Sequence, residues 1–267
     1  MLKLLGCEFL KLKRKRFIQL VLAASFLFPI PLTAIIYYLN TAQGKYESET
    51  AAFDALWQSI MGFGMQLLLP CILGIIAALL FFMERDNNTF KNLRTIPITS
   101  TKMVITKCIL LLLFSIIFCV ASTAASIICG GIFFGVSGIA YKLIFSIMEG
   151  FLIALSALPL VLLIVFFSKS YIFSIMLCVF YSVFNLMSSF LITSMPKGLV
   201  AILPTPSIML WGAKQMSSHM SVDDSADLEM FVNMKFIPTT FQLFMTLGII
   251  GIISVLIAVH LYKKRSE

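Results

Sequence analysis

The fold is decided by apolar runs such as CILLLLFSIIFCVASTAASIICGGIFF, residues 108–134, which contains no charged side chain. Five further runs share its apolar character: 17–39, 59–83, 150–167, 171–195 and 241–261. A helix needs about 20 apolar residues to cross roughly 30 Å of hydrocarbon, and these runs lack the alternation of barrel strands. The sequence therefore predicts an all-α polytopic membrane protein with six transmembrane helices, built as a single transmembrane domain over 1–267.

Charge placement predicts the orientation of these helices. The chain is 60% hydrophobic and 12% charged, with a net charge of +8. Placing both termini in the cytoplasm puts fifteen of the 20 Lys and Arg residues on the cytoplasmic side, as the positive-inside rule requires. The positive charge thus indicates membrane topology and does not indicate a nucleic-acid partner.

Two polar segments have a structure of their own. Residues 1–16 are predicted to form an interfacial helix, with Leu2, Leu5, Phe9 and Leu12 on one face. This helix is either a basic topology anchor or an elbow lying on the inner leaflet. The loop 196–238 is predicted to lie outside, and its apolar first half is predicted to dip into the outer interface as a re-entrant or interfacial segment.

The cytoplasmic segment 84–107 is the most structured polar stretch. Phe90 and Leu93, spaced i and i+3, predict a short amphipathic helix that Asn87, Asn88 or Thr89 can cap and that Pro97 ends. The segment is either a solvated loop or a helix that docks on lipid or protein.

Two polar residues fall within the predicted spans. Gln66 can line a seam between helices, close to the helix-breaking Pro70. Glu149 is either a functional acid at membrane depth or a residue at the level of the lipid headgroups. The pair Gly131 and Gly135 has the G-x-x-x-G spacing that permits close helix approach.

Motifs for catalysis are absent from the sequence. It contains no phosphate-binding G-x-x-x-x-G-K-[ST] loop, no H-E-x-x-H and no G-x-S-x-G, and its Cys and His residues lack metal-binding spacing. We therefore expect no enzymatic activity, no metal and no cofactor in this chain, and energy for any uphill transport must come from another polypeptide.

Two stretches carry a resemblance to a known family. They are Glu8-Phe9-Leu10-Lys11-Leu12-Lys13-Arg14 and a second block from Glu84 through Thr89-Phe90-Lys91-Asn92-Leu93 and Ile96-Pro97-Ile98-Thr99 to Lys107. With six spans and a long last outer loop, the chain resembles the permease subunit of type-2 ABC exporters. Among these it is most similar to the lantibiotic-immunity and bacitracin-resistance permeases of Firmicutes.

The resemblance implies a bacterial cell-membrane location, a second copy of the permease or a homologous permease, and two ATPase subunits that hold ATP and Mg²⁺. It implies export of an amphipathic antimicrobial peptide or lipid-like compound, along a route between the second and fifth spans of facing subunits, with 199–211 as a gate. It also implies that the 84–107 segment couples to the ATPase through eight residues: Glu84, Asn88, Thr89, Phe90, Lys91, Leu93, Arg94 and Pro97.

Two alternatives stay open from the sequence. One is a type-2 permease for another lipid-like or drug cargo. The other is a membrane assembly or sensory subunit that transports nothing.

Overall fold

The computed structural model describes residues 2–13, 16–46, 48–86, 99–167, 171–219 and 237–266. Within these ranges the chain is helical and forms no strand, and six helical segments are long and apolar enough to cross a membrane. The predicted all-α membrane fold is therefore confirmed. We number the spans 1 to 6 in chain order: Ile18–Ala42, Glu49–Phe82, Ser100–Phe133, Ile139–Phe166, Tyr171–Phe190 and Thr240–Lys264.

Several spans are composed of more than one helix. Helix α1 (Leu2–Lys13) precedes span 1, which consists of α2 (Arg16–Leu27) and α3 (Pro29–Gln43). Span 2 joins α4 (Glu49–Ser59), a π-helix (Ile60–Met65) and α5 (Gln66–Asp86). The remaining elements are α6 (Ser100–Phe133), α7 (Ile139–Ser156), α8 (Leu158–Phe166), α9 (Tyr171–Phe190), a 3₁₀ turn (Ile192–Ser194), α10 (Lys197–Ile202), α11 (Pro204–Ser217) and α12 (Thr240–Ser266).

Proline causes the breaks within spans 1 and 4. Pro29 opens α3 directly after Phe28, and Pro159 lies in the first turn of α8. Proline lacks the N–H that would continue the hydrogen-bond ladder, and its ring clashes with the preceding turn. At the second break, the Tyr181 hydroxyl of span 5 donates to the Ser156 carbonyl at 2.6 Å, so a neighbouring span satisfies part of the interrupted backbone.

Because successive spans alternate in direction, the bundle has two distinct ends. We call the end that holds α1, the start of α6 and the end of α12 the basic end, since most Lys and Arg residues of the sequence fall there. The opposite end, which holds the starts of α4 and α7 and the end of α11, is the far end.

Glycine allows close contact between spans at several positions, two of which lie in the middle of the bundle. A Cβ on Gly74 of span 2 would lie 2.6 Å from the Cys178 Sγ of span 5, and one on Gly150 of span 4 would lie 2.9 Å from the Ile116 Cα of span 3. Ser115 strengthens the second contact by donating to the Gly150 carbonyl at 2.7 Å. Close approach also occurs near the far end, where a Cβ on Gly130 of span 3 would lie 2.4 Å from the Phe53 ring of span 2. At Gly131 a Cβ would meet only Val136, at an ordinary 3.5 Å.

Three spans begin earlier in the structure than the apolar runs predicted. Span 2 starts at Glu49, span 3 at Ser100 and span 4 at Ile139, instead of 59, 108 and 150. The added turns include Asp54, Lys107 and Lys142, whose charged side chains are buried. A hydropathy pattern assigns charged residues to loops, because it does not take account of charged groups that are paired inside the protein.

Candidate functional site

The segment proposed to couple to an ATPase lies largely outside the described residues. Positions 87–98, which include Asn88, Thr89, Phe90, Lys91, Leu93, Arg94 and Pro97, are not described, and for Glu84 only its place near the end of α5 is. The structure does describe α5, which precedes this segment in the chain, and α6, which follows it.

Lys107 of α6 connects α6 to α5 at the basic end of the bundle. Its side chain is fully buried, and its ammonium group donates to the Leu80 carbonyl of α5 at 2.8 Å. The ammonium also lies 4.5 Å from the ring centre of Phe81 and 5.7 Å from that of Tyr262, within the range of cation–π attraction. One charge thus joins spans 2, 3 and 6 at the base of the 87–98 segment.

The two polar residues predicted within the membrane come together between spans 2 and 4. Gln66 and Glu149 are each only 2% exposed, and the Gln66 side chain hydrogen-bonds to the Glu149 carboxyl group. Glu149 is ten residues into span 4, or about 15 Å along the helix, and is buried inside the bundle.

A buried ion pair at the far end was missed by the sequence interpretation. The Lys142 ammonium of α7 lies 2.6 Å from the Asp54 Oδ1 of α4, and it also donates to the Ser137 carbonyl at 2.7 Å. The Ser137 hydroxyl donates to the same carboxylate at 3.0 Å. Both residues lie outside the apolar runs from which the spans were predicted; the available signal was that each directly follows an aromatic residue in the sequence.

Aromatic side chains surround this ion pair. The Lys142 ammonium lies 4.4 Å from the ring centre of Phe53 and 5.8 Å from that of Trp57. Both rings are fully buried, and the Trp57 indole donates to the Thr123 hydroxyl of span 3 at 3.2 Å. The far ends of spans 2, 3 and 4 are thereby joined through one polar cluster.

Helix α11 packs over the same end. Its Trp211 stacks on Phe145 of span 4, with ring centres 5.6 Å apart and planes 12° apart. The indole N–H donates to the Thr240 hydroxyl at the start of span 6, at 3.0 Å, and the Tyr141 hydroxyl donates to the Gln215 carbonyl at 2.8 Å. The segment predicted to gate the route, 199–211, therefore ends in a residue that contacts spans 4 and 6.

Span 5 has two sharply different faces. The face toward the protein carries small and polar side chains: Ser174, Cys178, Ser182, Asn185, Ser188 and Ser189. The opposite face exposes large apolar side chains: Ile172, Phe173, Met176, Phe180, Phe184 and Met187. Span 2, by contrast, is mostly buried within this one chain. Of the two spans assigned to the cargo route, span 5 offers the larger free apolar surface.

An apolar groove of about 410 Å³ lies between spans 4 and 6, lined by residues that include Phe151, Leu158, Phe244 and Gly248. Its walls are almost entirely hydrocarbon, so it offers no chemistry for a reaction. In the described part of the chain no three His, Cys, Asp or Glu residues lie close enough to hold a metal.

Comparison with known families gives the class of protein. The profile of the ABC-2 family transporter protein matches residues 4–185, from α1 through most of span 5. The match covers more than half of the chain, and the chain therefore belongs to the ABC-2 transporter family. No curated protein matches the chain significantly.

Family membership defines the role of the chain in coarse terms. It is the transmembrane permease component of an ABC transporter, and ATP hydrolysis in such a transporter resides on partner ATPase subunits. The six candidate membrane spans fit this role.

Proposed function

We propose that this permease exports an amphipathic antimicrobial peptide, of lantibiotic or bacitracin type, from a bacterial cell membrane in which both termini are cytoplasmic. Two ATPase subunits and a second permease, identical or homologous, complete the transporter. The observation that carries the choice of cargo is the exposed apolar face of span 5. An apolar face along the proposed route suits a cargo that enters from the bilayer, because it offers no hydrogen-bond partner to a polar solute from water.

The aromatic centre of that face supplies the proposed contact with cargo. Phe180 and Phe184 are 71% and 52% exposed, and their rings stack with centres 6.2 Å apart. Opposite them, on the same helix, polar groups are buried inside the protein. A peptide with apolar side chains can therefore lie along span 5 without contacting the polar interior.

The test is a resistance assay in a sensitive bacterium that expresses the permease with its ATPase. We expect a higher inhibitory concentration for one class in a panel of lantibiotics, bacitracin-like peptides and lipid-linked compounds. The gain should disappear when the catalytic base of the ATPase is replaced, and it should fall in the Phe180→Ala/Phe184→Ala variant.

A matched control uses another exposed apolar pair with the same i, i+4 spacing. Ile249 and Ile253 of span 6 are 55% and 51% exposed, and Ile249→Ala/Ile253→Ala should retain resistance. If no compound on the panel shows a shift and none stimulates ATP hydrolysis in nanodiscs, peptide export is wrong.

That result would favour the second candidate, a permease for a drug or another lipid-like cargo, which the same apolar face also suits. A sensory or assembly subunit would show neither transport nor cargo-stimulated ATP hydrolysis with any compound. Co-purification of an ATPase separates the transporter from that third possibility.

A further inference from the structure

Spans 2, 4 and 5 carry a set of buried side-chain oxygens that have no hydrogen-bond partner in the described structure. Four atoms form the set: Gln66 Oε1, Glu149 Oε2, Ser182 Oγ and Asn185 Oδ1. The four residues are 1–2% exposed. Buried polar atoms are normally paired, so a group of unpaired oxygens calls for a specific explanation.

The register between spans 2 and 5 places Gln66 and Asn185 at a similar depth, with Ser182 about one turn nearer the basic end. Gly74 and Cys178 are in contact, and the two spans run in opposite directions. Gln66 precedes Gly74 by eight residues and Asn185 follows Cys178 by seven, which are displacements of about 12 and 10 Å toward the far end. Ser182 lies between Cys178 and Asn185 on the same face of the helix.

The local backbone of span 2 adds a further oxygen. A π-helix, Ile60–Met65, ends directly before Gln66, and π-helical turns are rare and concentrate at functional sites. Four residues later, Pro70 lies inside α5. Because proline has no N–H, the Gln66 carbonyl lacks its regular helical donor.

Glu149 has no basic partner among the described residues. The titratable groups that act on it are Cys119 of span 3 and Tyr141 of its own helix, and neither carries positive charge. Lys142, two turns away, is paired with Asp54. From span 2 the neutral Gln66 side chain hydrogen-bonds to the carboxyl group. A buried carboxylate without a counter-charge is strongly unfavourable in an apolar interior.

We propose that Glu149 and Gln66, with the Asn185 oxygen at a similar depth on span 5, form a binding site for one small monovalent cation, H⁺ or Na⁺. Either ion supplies the missing positive charge. A proton on Glu149 Oε2 becomes a donor to a neighbouring oxygen, whereas Na⁺ coordinates several of the oxygens, including backbone carbonyls at interrupted helices. The occupied site ties spans 2, 4 and 5 together, and it goes beyond the export function proposed above.

Two measurements on the full chain in lipid nanodiscs distinguish the ions. Infrared spectroscopy with glutamate labelled at the side-chain carboxyl detects a protonated acid, which we expect to vanish in Glu149→Gln. Equilibrium binding of radioactive Na⁺ detects the alternative, expected at one ion per chain and lost in the same variant. The matched control is Glu49→Gln, an exposed acid at the start of α4, which should change neither signal.

A second variant preserves the test if Glu149→Gln does not fold. Gln66→Leu retains the carboxyl group but removes its hydrogen-bond donor, so it should shift the protonated-acid band or weaken Na⁺ binding about 10-fold or more. A wild-type protein with neither a protonated glutamate nor bound Na⁺ overturns the proposal, as does a signal that survives in Glu149→Gln. Neither measurement uses the ATPase or a cargo, so a negative result leaves the export function untouched.

Discussion

Lys142 and Asp54 form an ion pair, with Nζ and Oδ1 2.6 Å apart and side chains only 1% and 6% exposed. The pair joins span 4 to span 2 at the far end of the bundle. Removing one partner leaves the other charge buried and unpaired, which typically costs about 3–5 kcal/mol. Lys142→Met and Asp54→Asn should therefore each lower the midpoint of thermal unfolding in nanodiscs.

The double variant provides the sharper test of this pair. Lys142→Met with Asp54→Asn removes both charges, so its unfolding temperature should lie above that of Lys142→Met alone, because no unpaired carboxylate remains. Lys214→Met is the control, since that side chain is exposed at the end of α11 and should have no effect. Additive losses in the double variant would show that the two charges do not stabilise each other.

The sequence predicted the membrane fold because long apolar runs leave few alternatives, and it predicted Gln66 and Glu149 as candidates because polar residues stand out within such runs. It did not predict that these two residues meet, because nothing in either run specifies the rotation of one span against another. It also missed the Lys142–Asp54 pair, since hydropathy alone treats a paired buried charge as an exposed one. The close contact at Gly150 followed no G-x-x-x-G spacing, and only the packed structure reveals it.

Lys107 should transmit changes at the coupling segment to the spans. Lys107→Met removes the hydrogen bond to the Leu80 carbonyl and the cation–π contacts with Phe81 and Tyr262. We expect the permease to remain in the membrane but to lose cargo-stimulated ATP hydrolysis in the complex. Lys102→Met is the matched control, because Lys102 lies on the same helix but is exposed. If cargo-stimulated ATP hydrolysis is equal in the two variants, Lys107 stabilises its local contacts but does not transmit changes to the spans.

The proposed docking helix can be tested with Phe90→Ala/Leu93→Ala. If both side chains are anchors in a groove of the ATPase, their truncation should cost more than about 1–2 kcal/mol of binding. Less ATPase should then co-purify with the variant, and resistance should fall. Ile128→Ala/Ile132→Ala is the control, since these exposed residues lie toward the far end of α6. Unchanged co-purification and resistance in the first variant would exclude this docking helix.

Orientation in the membrane can be measured by cysteine labelling. The six native cysteines are replaced first, and single cysteines are then placed at Asn92 and at Ser217, which is exposed at the end of α11. The charge distribution puts Asn92 in the cytoplasm, so an impermeant thiol reagent should label only Ser217→Cys in intact cells. Labelling of Asn92→Cys in intact cells would reverse the predicted topology.

Variants that remove the Trp211 hydrogen bond can test whether α11 acts as a gate. Trp211→Phe and Thr240→Val each remove the same hydrogen bond, which is worth about 0.5–1.5 kcal/mol. Trp211→Phe can retain the stacking on Phe145, so the two single variants and their combination should lower the unfolding temperature by similar amounts. If this contact holds a gate closed, all three variants should also raise ATP hydrolysis without cargo, at matched expression. An effect on stability with unchanged basal hydrolysis would make the contact a structural one and remove α11 from the transport route.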